Sequence, residues 1–285
     1  MGISQYIKEI GRGPRGSKPL TREQAADLFG QLLDGNVTDL EIGAFCLAMR
    51  IKGETPEEMC GFLDAAHSRM ALFPASDRPV IVLPSYNGAR KLPVLTPLLA
   101  LLLAREGLPV LLHGMRTEAR RTLASDVLLA LGVPALTAPE KIATGSVAHI
   151  ETGYLHAALA RLLKVREVVG LRNAGHSIVK LMNPCAGPAV VVTSYTHPEY
   201  YDMLQATFGA LHMTALLSRG LEGEVATDPR RTPRYDAFVA GVHQLLQEQQ
   251  PGTAADVPGL PTEIDIDTTA RYTQDVLDGR LPVPP

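Results

Sequence analysis

Tryptophan is absent from this chain, and aromatic residues make up only 5% of it. Proteins that bind single-stranded nucleic acid by stacking need several exposed aromatic rings, so this composition argues against a stacking platform. The sequence also lacks an apolar run long enough to span a bilayer, since even Leu95–Ala104 is interrupted by Pro97. Its first residues contain no signal-peptide hydrophobic segment. We therefore expect a cytoplasmic protein with no membrane partner.

Cysteine is scarce, and its spacing does not match a metal site. Cys46, Cys60 and Cys185 are odd in number and show no metal-ligand spacing. Cys46 and Cys60 lie in apolar helical patterns, which favours buried and reduced thiols. The formal net charge is −3, so the bulk composition does not itself indicate nucleic-acid binding, although a local basic face is compatible with it.

Capping boxes predict three helices near the N-terminus. Thr21–Gln24, Thr38–Glu41 and Thr55–Glu58 each place a threonine three residues before a Gln or Glu, so that the two side chains can satisfy free amides at a helix start. Apolar residues then recur at helical spacing in the series Ile42, Phe45, Cys46 and Met49. We therefore predict a helical domain over residues 1–72, joined by helices from about residues 155–182.

After Pro74 the pattern changes to short apolar runs separated by helical stretches. The predicted strands are Pro79–Pro84, Pro109–His113, Ala189–Ser194 and Met213–Ser218, and the predicted helices between them include Leu92–Glu106 and Thr122–Leu131. Continuously apolar strands that alternate with helices indicate an α/β domain with a mainly parallel central sheet, which we assign to residues 73–285. Ligands of such folds bind beyond the carboxyl ends of the strands. The loops to consider are therefore Ser85–Lys91, Gly114–Arg121 and Arg219–Arg234.

The turn after the second predicted strand is the most informative segment. A strand-to-helix turn commonly binds phosphate, because helix N-terminal amides favour anions and small residues let the backbone approach them. After Gly114 this turn contains no glycine and carries Arg116, Arg120 and Arg121 instead. The sequence thus keeps the architecture of a phosphate site but replaces its close backbone contacts with long cationic side chains.

Several segments resemble the anthranilate phosphoribosyltransferase-like proteins, the glycosyltransferase family 3 group that shares its fold with the pyrimidine nucleoside phosphorylases. The likeness covers Leu20–Gly61, includes Arg166–Arg172 and Asn183-Pro184, and runs to about residue 225. It implies a small helical domain and a larger α/β domain of the nucleoside phosphorylase and phosphoribosyltransferase type.

Three motifs of the catalytic members differ in this chain. Their Gly-Thr-Gly-Gly-Asp loop, which holds phosphoribosyl pyrophosphate, corresponds to Pro84–Lys91, with one glycine and no acid. Their Lys-His-Gly-Asn-Arg motif corresponds to Leu112–Asp126, where the following serine pair is lost. Their magnesium-binding Asp-Gly-Leu-Asp-Glu corresponds to Glu222–Ala226, which puts Val225 and Ala226 at the acidic pair. The resemblance implies that most of the electrostatic stabilisation of the transfer is lost. We therefore expect no cofactor, and Mg²⁺ only if the chain is an enzyme.

The segments Pro84–Lys91, Arg172–Lys180 and Glu222–Glu224 resemble the YbiB-type branch of the family. That branch is associated with homodimers that bind nucleic acid without evident sequence specificity. The resemblance implies a non-catalytic homodimer that binds DNA or RNA and associates through its helical domains. We expect apolar residues of that domain, such as Ile42, Phe45 and Met49, to bury part of their surface in the two-fold interface.

Basic residues in an N-terminal arm and in the cleft loops are the candidate phosphate contacts of a nucleic-acid groove. They are Lys8, Arg12, Arg15, Lys18, Arg90, Lys91, Arg116, Arg120, Arg121, Arg172 and Lys180. One of the arginines after Gly114 can instead pair with Glu118 or Asp126. Arg50 and Lys52, on the helical domain, are expected to lie outside this groove.

Two other functions stay open at the level of the sequence. The chain can be a phosphoribosyltransferase-like glycosyltransferase with altered substrate loops, or it can bind a small molecule without catalysis. A residual substrate pocket would consist of Asn87, Gly88, His113, Gly114, His156 and Arg166. A sulfate or phosphate bound by the amides of Asn87 and Gly88 would favour the enzyme. Arg166 has the alternative of an ion pair between helices.

Overall fold

The structure, a computed structural model, describes residues 2–13 and 15–284. Its N-terminal region is helical, and all three predicted capping boxes form. Thr21, Thr38 and Thr55 each accept the amide hydrogen of the residue three positions later, and that residue's side chain accepts the threonine amide hydrogen in return. The helices are α1 (Ser4–Ile10), α2 (Arg22–Asp34), α3 (Asp39–Lys52) and α4 (Pro56–His67).

Within the described residues, eight strands form one mixed sheet. They are β1 (Val80–Ser85), β2 (Val110–Gly114), β3 (Ala135–Leu136), β4 (Val147–Glu151), β5 (Ala189–Tyr195), β6 (Ala215–Arg219), β7 (Tyr235–Val239) and β8 (Val242–Gln247). The spatial order is β3-β4-β2-β1-β5-β6-β7-β8. Pairing is parallel from β3 to β6, and β7 and β8 are antiparallel additions. The predicted mainly parallel sheet is therefore confirmed, and the four predicted strands are β1, β2, β5 and β6.

The remaining helices connect the strands or return to the N-terminal helices. They are α5 (Thr96–Arg105), α6 (Ala124–Ala130), α7 (Thr152–Leu155), α8 (Ala157–Val169), α9 (Gly175–Ile178), α10 (Glu199–Ala210) and α11 (Ile266–Leu277). Helix α11 packs against α5 and α6, whereas α8 contacts α2, and α9 contacts α4. Among the helices of the described residues, none has both the length and the apolar character of a membrane span.

Aromatic residues hold the helical region together. Phe29 and Phe62 lie with ring centroids 5.0 Å apart, and Phe45 meets Phe62 edge-on at 6.0 Å. Phe45 and Met49 have no exposed surface, so the expectation that these two residues contribute to a two-fold interface is wrong. Their apolar face is already used inside the protomer. The exposed apolar residues of α3 lie on its other face and are Leu40, Leu47 and Ile51, which are 83%, 47% and 58% exposed.

All three cysteines are free and buried, as predicted. Burial raises the pKa of the Cys46 thiol to about 11, since the thiolate would be poorly solvated. Burial also raises the pKa of Cys60 and, to about 12, that of Cys185. These thiols are therefore core side chains and not reactive groups.

Candidate functional site

The loops after β1 and β2 meet at the carboxyl edge of the sheet. Ser85 and Gly114 are paired at the ends of the two strands. Beyond them, the amide of Ala89 donates to the carbonyl of Thr122 at 2.8 Å. The two loops therefore lie side by side, as expected where neighbouring parallel strands end.

The amides of the β1 loop are occupied by a carboxylate of the chain itself. Oε1 of Glu224 accepts the amide hydrogens of Asn87 and Gly88, each at 2.8 Å. Its other oxygen, Oε2, accepts from the hydroxyl groups of Ser85 at 2.6 Å and Thr96 at 3.1 Å. Glu224 is only 3% exposed. A buried anion thus sits where the loop amides point, but it is an intramolecular one.

A second glutamate closes the rest of the loop. Oε2 of Glu222 accepts the amide hydrogens of Arg90 at 2.6 Å and Lys91 at 3.1 Å. The turn Glu222–Glu224 depends on the glycine between the two acids. Gly223 has a φ of +86°, and a Cβ there would lie 2.0 Å from Nδ2 of Asn87. Only glycine therefore fits at this position.

Lys180 and Arg172 hold the same two segments from the side of α9. Nζ of Lys180 donates to the carbonyl of Gly223 at 2.8 Å, and Nη2 of Arg172 donates to Oδ1 of Asn87 at 2.5 Å. Burial lowers the pKa of Lys180 to about 8, although the Glu224 carboxylate opposes this effect. Burial and the neighbouring Arg166 and Arg121 likewise lower the pKa of Arg172. These cations are desolvated and close together, which favours an additional anion beside them.

Three guanidinium groups of the cleft are already paired with acids. Arg116 contacts Asp126 at 2.6 Å, while Arg121 and Arg166 both contact Glu118 at 3.1 Å. The sequence left open that one arginine of this loop pairs with Glu118 or Asp126, and in the structure each acid has an arginine partner from the loop. For Arg166, however, the predicted ion pair between helices is wrong, because Glu118 lies in the loop after β2.

Other candidate cations project into solvent. Arg90, Lys91 and Arg120 are exposed, and none of their side chains has a hydrogen-bond or ion-pair partner within residues 2–13 and 15–284. Their accessibility is what phosphate contacts require. The cations therefore form two sets. The inner cations, Arg116, Arg121 and Arg166, already have acidic partners. The outer cations, Arg90, Lys91 and Arg120, are available to bind phosphate.

The N-terminal arm lies at the end of α3 that faces the cleft. The amide of Ile3 donates to Oε1 of Glu41 at 3.1 Å, and Gly11 lies beside Ala48, so α1 runs alongside α3 in the same direction. Helix α1 therefore ends near the carboxyl end of α3. The basic residues of the arm are exposed, and only Arg12 has an acidic partner, Glu9, among the described residues; they are Lys8, Arg12, Arg15 and Lys18.

The expectation that Arg50 and Lys52 lie outside the groove is wrong for Arg50. Arg50, at the carboxyl end of α3, lines the cleft between the helical region and the sheet together with Arg172. Lys52 is not a surface charge, because Nζ contacts Oε2 of the fully buried Glu58 at 2.5 Å. Neither residue is a suitable control for cleft mutations.

The two histidines of the predicted residual pocket have structural contacts. Nδ1 of His113 lies 2.9 Å from the hydroxyl of Tyr86, which also contacts Thr152 at 2.8 Å. Burial lowers the pKa of His113 to about 3. Nδ1 of His156 accepts the amide hydrogen of Leu159 and caps α8. A neutral buried imidazole and a helix cap do not form an acid–base pair.

The arrangement of acids does not fit a diphosphate-bridging Mg²⁺ site. A carboxylate has about four acceptor positions, and the four donors around Glu224 fill them. Val225 and Ala226, at the positions of the acidic pair, are 5% and 8% exposed and pack in apolar clusters. In the described part of the chain, no three His, Cys, Asp or Glu side chains are grouped to hold a metal.

Sequence reasoning missed the polar residues at the carboxyl end of β5. Thr193 and Ser194 are buried, and neither hydroxyl has a hydrogen-bond partner in the described residues. The available signal was the change from valines to hydroxyl side chains within an otherwise apolar strand. The role of Glu224 as an acceptor for loop amides was also missed, because nothing local in the sequence pairs residues so far apart.

Comparison with known proteins agrees with this fold. Residues 4–70 match the family described as glycosyl transferase family, helical bundle domain. Uncharacterized protein YbiB of Escherichia coli K12 is 37% identical over 291 residues, which cover 100% of this chain and 90% of that protein. Anthranilate phosphoribosyltransferase of Persephonella marina is 28% identical over 295 residues, which cover 98% of this chain and 83% of that protein.

A solved structure shows the same architecture. Anthranilate phosphoribosyltransferase from Thermus thermophilus superposes with a TM-score of 0.73 at 21% identity, and the match covers 98% of this chain and 84% of the enzyme. This superposition, together with the 37% identity to YbiB over the whole chain, establishes the family of the chain. The chain belongs to the anthranilate phosphoribosyltransferase-like proteins of glycosyltransferase family 3.

Proposed function

We propose that this chain is a non-catalytic member of its family that forms a homodimer and binds DNA or RNA through a basic groove, without sequence specificity. The observation that carries the non-catalytic part is the occupation of the β1 loop by Glu224 and Glu222. Four loop amides donate to these carboxylates, those of Asn87, Gly88, Arg90 and Lys91. A pyrophosphate group would have to displace both acids before it could use the same amides.

This displacement is unfavourable for two reasons. The Glu222–Glu224 turn is tethered in place, so its effective concentration at the loop exceeds that of a free substrate. Any pyrophosphate that entered beside the acids would also meet like charge in a buried site, where repulsion is strong. Catalysis of pentosyl transfer needs the opposite arrangement, with preorganised donors facing the charge of the leaving group.

Nucleic-acid binding is supported by the outer cations of the cleft. Arg90, Lys91 and Arg120 are exposed and unpartnered within the described residues, and they follow strands whose carboxyl ends meet at one edge. The exposed arm leads to the end of α3 at Arg50, which lines the cleft between the helical region and the sheet. Exposed cations distributed in this way can contact successive phosphates of a nucleic-acid backbone, but they do not contact the base edges that carry the sequence. The low aromatic content is consistent with an electrostatic mode.

The homodimer is supported by the surface of α3. Leu40, Leu47 and Ile51 are separated by seven and four residues, so they lie along one face of the helix, and all three are exposed. An apolar stripe on a surface helix indicates a protein contact. A two-fold dimer is the commonest closed assembly.

A salt-dependent binding titration tests the groove. Affinity for duplex DNA should fall steeply with salt and vary little with sequence, with a slope of about −0.9 per neutralised phosphate. The double variant Arg90→Ala/Lys91→Ala should flatten the slope by up to about two units per protomer. Single-stranded DNA and RNA of the same length distinguish the nucleic-acid types.

The matched control is Arg78→Ala/Lys141→Ala. Both residues are exposed, and they precede β1 and β4 at the opposite, amino edge of the sheet. Equal losses from the two double variants would indicate diffuse attraction and contradict a groove.

Calorimetry with phosphoribosyl pyrophosphate and Mg²⁺ tests whether the chain is non-catalytic. A micromolar dissociation constant, or turnover with anthranilate, would show that the chain is an enzyme.

A further inference from the structure

A cavity of about 380 Å³ lies between the carboxyl end of α3, α9 and the carboxyl end of β5. This volume is within the range of sites that bind small organic molecules. The cavity is lined on one side by Arg50 and Glu54 and on the other by Tyr195 and Tyr200. It is separate from the amides of the β1 loop, since neither Asn87 nor Gly88 lines it.

Two side chains that line this cavity carry buried polar atoms without partners among the described residues. They are Nε2 of His176 and Oγ1 of Thr193. The residues are 8% and 1% exposed. Buried polar groups in folded proteins almost always have a hydrogen-bond partner, so two such atoms beside one cavity call for an explanation.

The state of His176 adds to this pattern. Its Nδ1 lies 3.3 Å from the amide nitrogen of Asn173, which can only donate, and 3.3 Å from the Asn173 side-chain oxygen, which already accepts from Gly175. We therefore assign Nδ1 as the acceptor, which leaves the hydrogen on Nε2. Burial lowers the pKa of His176 to about 3, so the ring is neutral. Nε2 is then a hydrogen-bond donor without an acceptor in the described part of the chain.

The charges around the cavity favour an anion. Arg50, Arg172 and Lys180 line it, against the carboxylates Glu54 and Glu199. Burial raises the pKa of Glu54, which disfavours its charged form. The N-terminus of α10, a helix of 12 residues, also opens onto the cavity at His197, and its dipole favours negative charge.

We propose that this cavity binds the phosphate monoester of a nucleotide-sized ligand. Thr193 and His176 donate hydrogen bonds to the phosphate oxygens, and Arg172 and Lys180 supply the positive charge. The space along Tyr195 and Tyr200 accommodates the attached nucleoside. Such a monoester comes either from a free nucleotide or from the 5′ end of a nucleic-acid strand. The site shares Arg172 and Lys180 with the candidate groove, but it binds a terminal phosphate, whereas the groove contacts internal phosphates.

Calorimetry on the full chain tests the site with adenosine 5′-monophosphate, inorganic phosphate and adenosine. We expect the monophosphate and phosphate to bind and adenosine not to bind. Thr193→Val removes a hydroxyl that has no partner in the described residues, so the fold should be retained. It should weaken binding of the monophosphate by about tenfold or more, as expected for a hydrogen bond to a charged group.

Thr273→Val is the matched control. Thr273 is also fully buried and carries a hydroxyl without a partner among the described residues, but it lies on α11 and does not line the cavity. This variant should bind the monophosphate as tightly as the wild type. An equal loss from Thr273→Val would contradict the proposal, as would adenosine binding as tightly as its monophosphate, or no binding of monophosphate and phosphate at millimolar concentration.

Oligonucleotides distinguish the two sources of the monoester. A preference for a 5′-phosphorylated strand over the 5′-hydroxyl strand, lost in Thr193→Val, assigns the site to strand ends. Binding of the monophosphate without that preference assigns it to a free nucleotide. A closed circular plasmid has no ends, so its binding tests the groove alone and should be unchanged in Thr193→Val. Failure of the plasmid to bind would contradict the proposed function while leaving this inference intact.

Discussion

The amide of Gly88 donates a 2.8 Å hydrogen bond to Oε1 of Glu224, which lies 136 residues further along the chain. The backbone of the β1 loop has therefore kept the geometry that binds an oxyanion, and the chain supplies the oxyanion itself. This arrangement explains how the loop stays ordered with one glycine and without the acid of the catalytic motif. It also makes the loop a structural element that holds Arg90 and Lys91 at the rim of the cleft.

Replacing Glu224 should expose this anion site. In Glu224→Ala, the amides of Asn87 and Gly88 and the hydroxyls of Ser85 and Thr96 lose their acceptor. Each unpaired buried donor costs about 1–3 kcal/mol, so with four donors we expect the free energy of unfolding to fall by at least about 4 kcal/mol. Inorganic phosphate should recover part of the loss, since it can occupy the vacated position. Urea unfolding with and without phosphate measures both effects.

The control for this experiment is Glu222→Ala. Glu222 accepts from two amides at a more exposed position, so its loss should be smaller. Sodium chloride at matched ionic strength separates specific occupation from screening. If phosphate stabilises the wild type as much as Glu224→Ala, the carboxylate does not occupy an anion site.

Arg120 and Arg121 are adjacent in sequence but should behave differently in nucleic-acid binding. Arg120 is exposed and has no partner within the described residues, so Arg120→Ala should flatten the salt slope by about 0.9 per protomer. Arg121 contacts Glu118 at 3.1 Å and donates to the carbonyl of Asn87 at 3.2 Å. Arg121→Ala should therefore lower the thermal stability of the protein and change the slope less. Salt titrations and thermal melts of both variants decide this, and identical slopes would exclude the division into outer and inner cations.

The sequence predicted those parts of the fold that follow from local pattern and burial. β1, β2, β5 and β6 were predicted because strands buried on both faces are continuously apolar. The hairpin of β7 and β8 was missed because Asp236, His243 and Gln244 interrupt the apolar pattern at the edge of the sheet. The convergence of the β1 and β2 loops was predictable, since carboxyl ends of neighbouring parallel strands meet at one edge.

The long-range contacts of the site could not be predicted from the sequence. Glu222 and Glu224 were only aligned with a magnesium-binding motif, and the structure brings them to the β1 loop. The apolar spacing of α3 likewise could not show whether Phe45 and Met49 face the core or a second protomer. A helical pattern identifies an apolar face but not what covers it.

The outer face of α3 should form the dimer interface. Leu47→Asp/Ile51→Asp introduces charge into the exposed apolar stripe and should convert the dimer to a monomer, because a buried unpaired carboxylate is costly. Leu129→Asp is the matched control, since Leu129 is 62% exposed on α6 in the sheet region. Light scattering at micromolar concentration measures the mass. A monomeric wild type, or a dimer that survives both substitutions, would contradict this assignment.

The buried imidazole of His113 should make the protein sensitive to acid. Its pKa of about 3 lies below the ordinary value of 6.5, so the unfolded chain binds more protons between these two pH values. Stability from this residue is therefore present above about pH 6.5 and is lost as the pH falls towards 3. At pH 4.5 the loss should reach about 3 kcal/mol, since each pH unit contributes about 1.4 kcal/mol. In His113→Asn the free energy of unfolding should be lower at pH 7, since the packing around Tyr86 changes, but it should fall less steeply below pH 6.5.

Urea unfolding across this pH range measures the slope of stability against pH, with His197→Asn as the control at an exposed position. If His113→Asn and the wild type lose stability in parallel, the imidazole is protonated in the folded state and its contact with the Tyr86 hydroxyl does not require the neutral form.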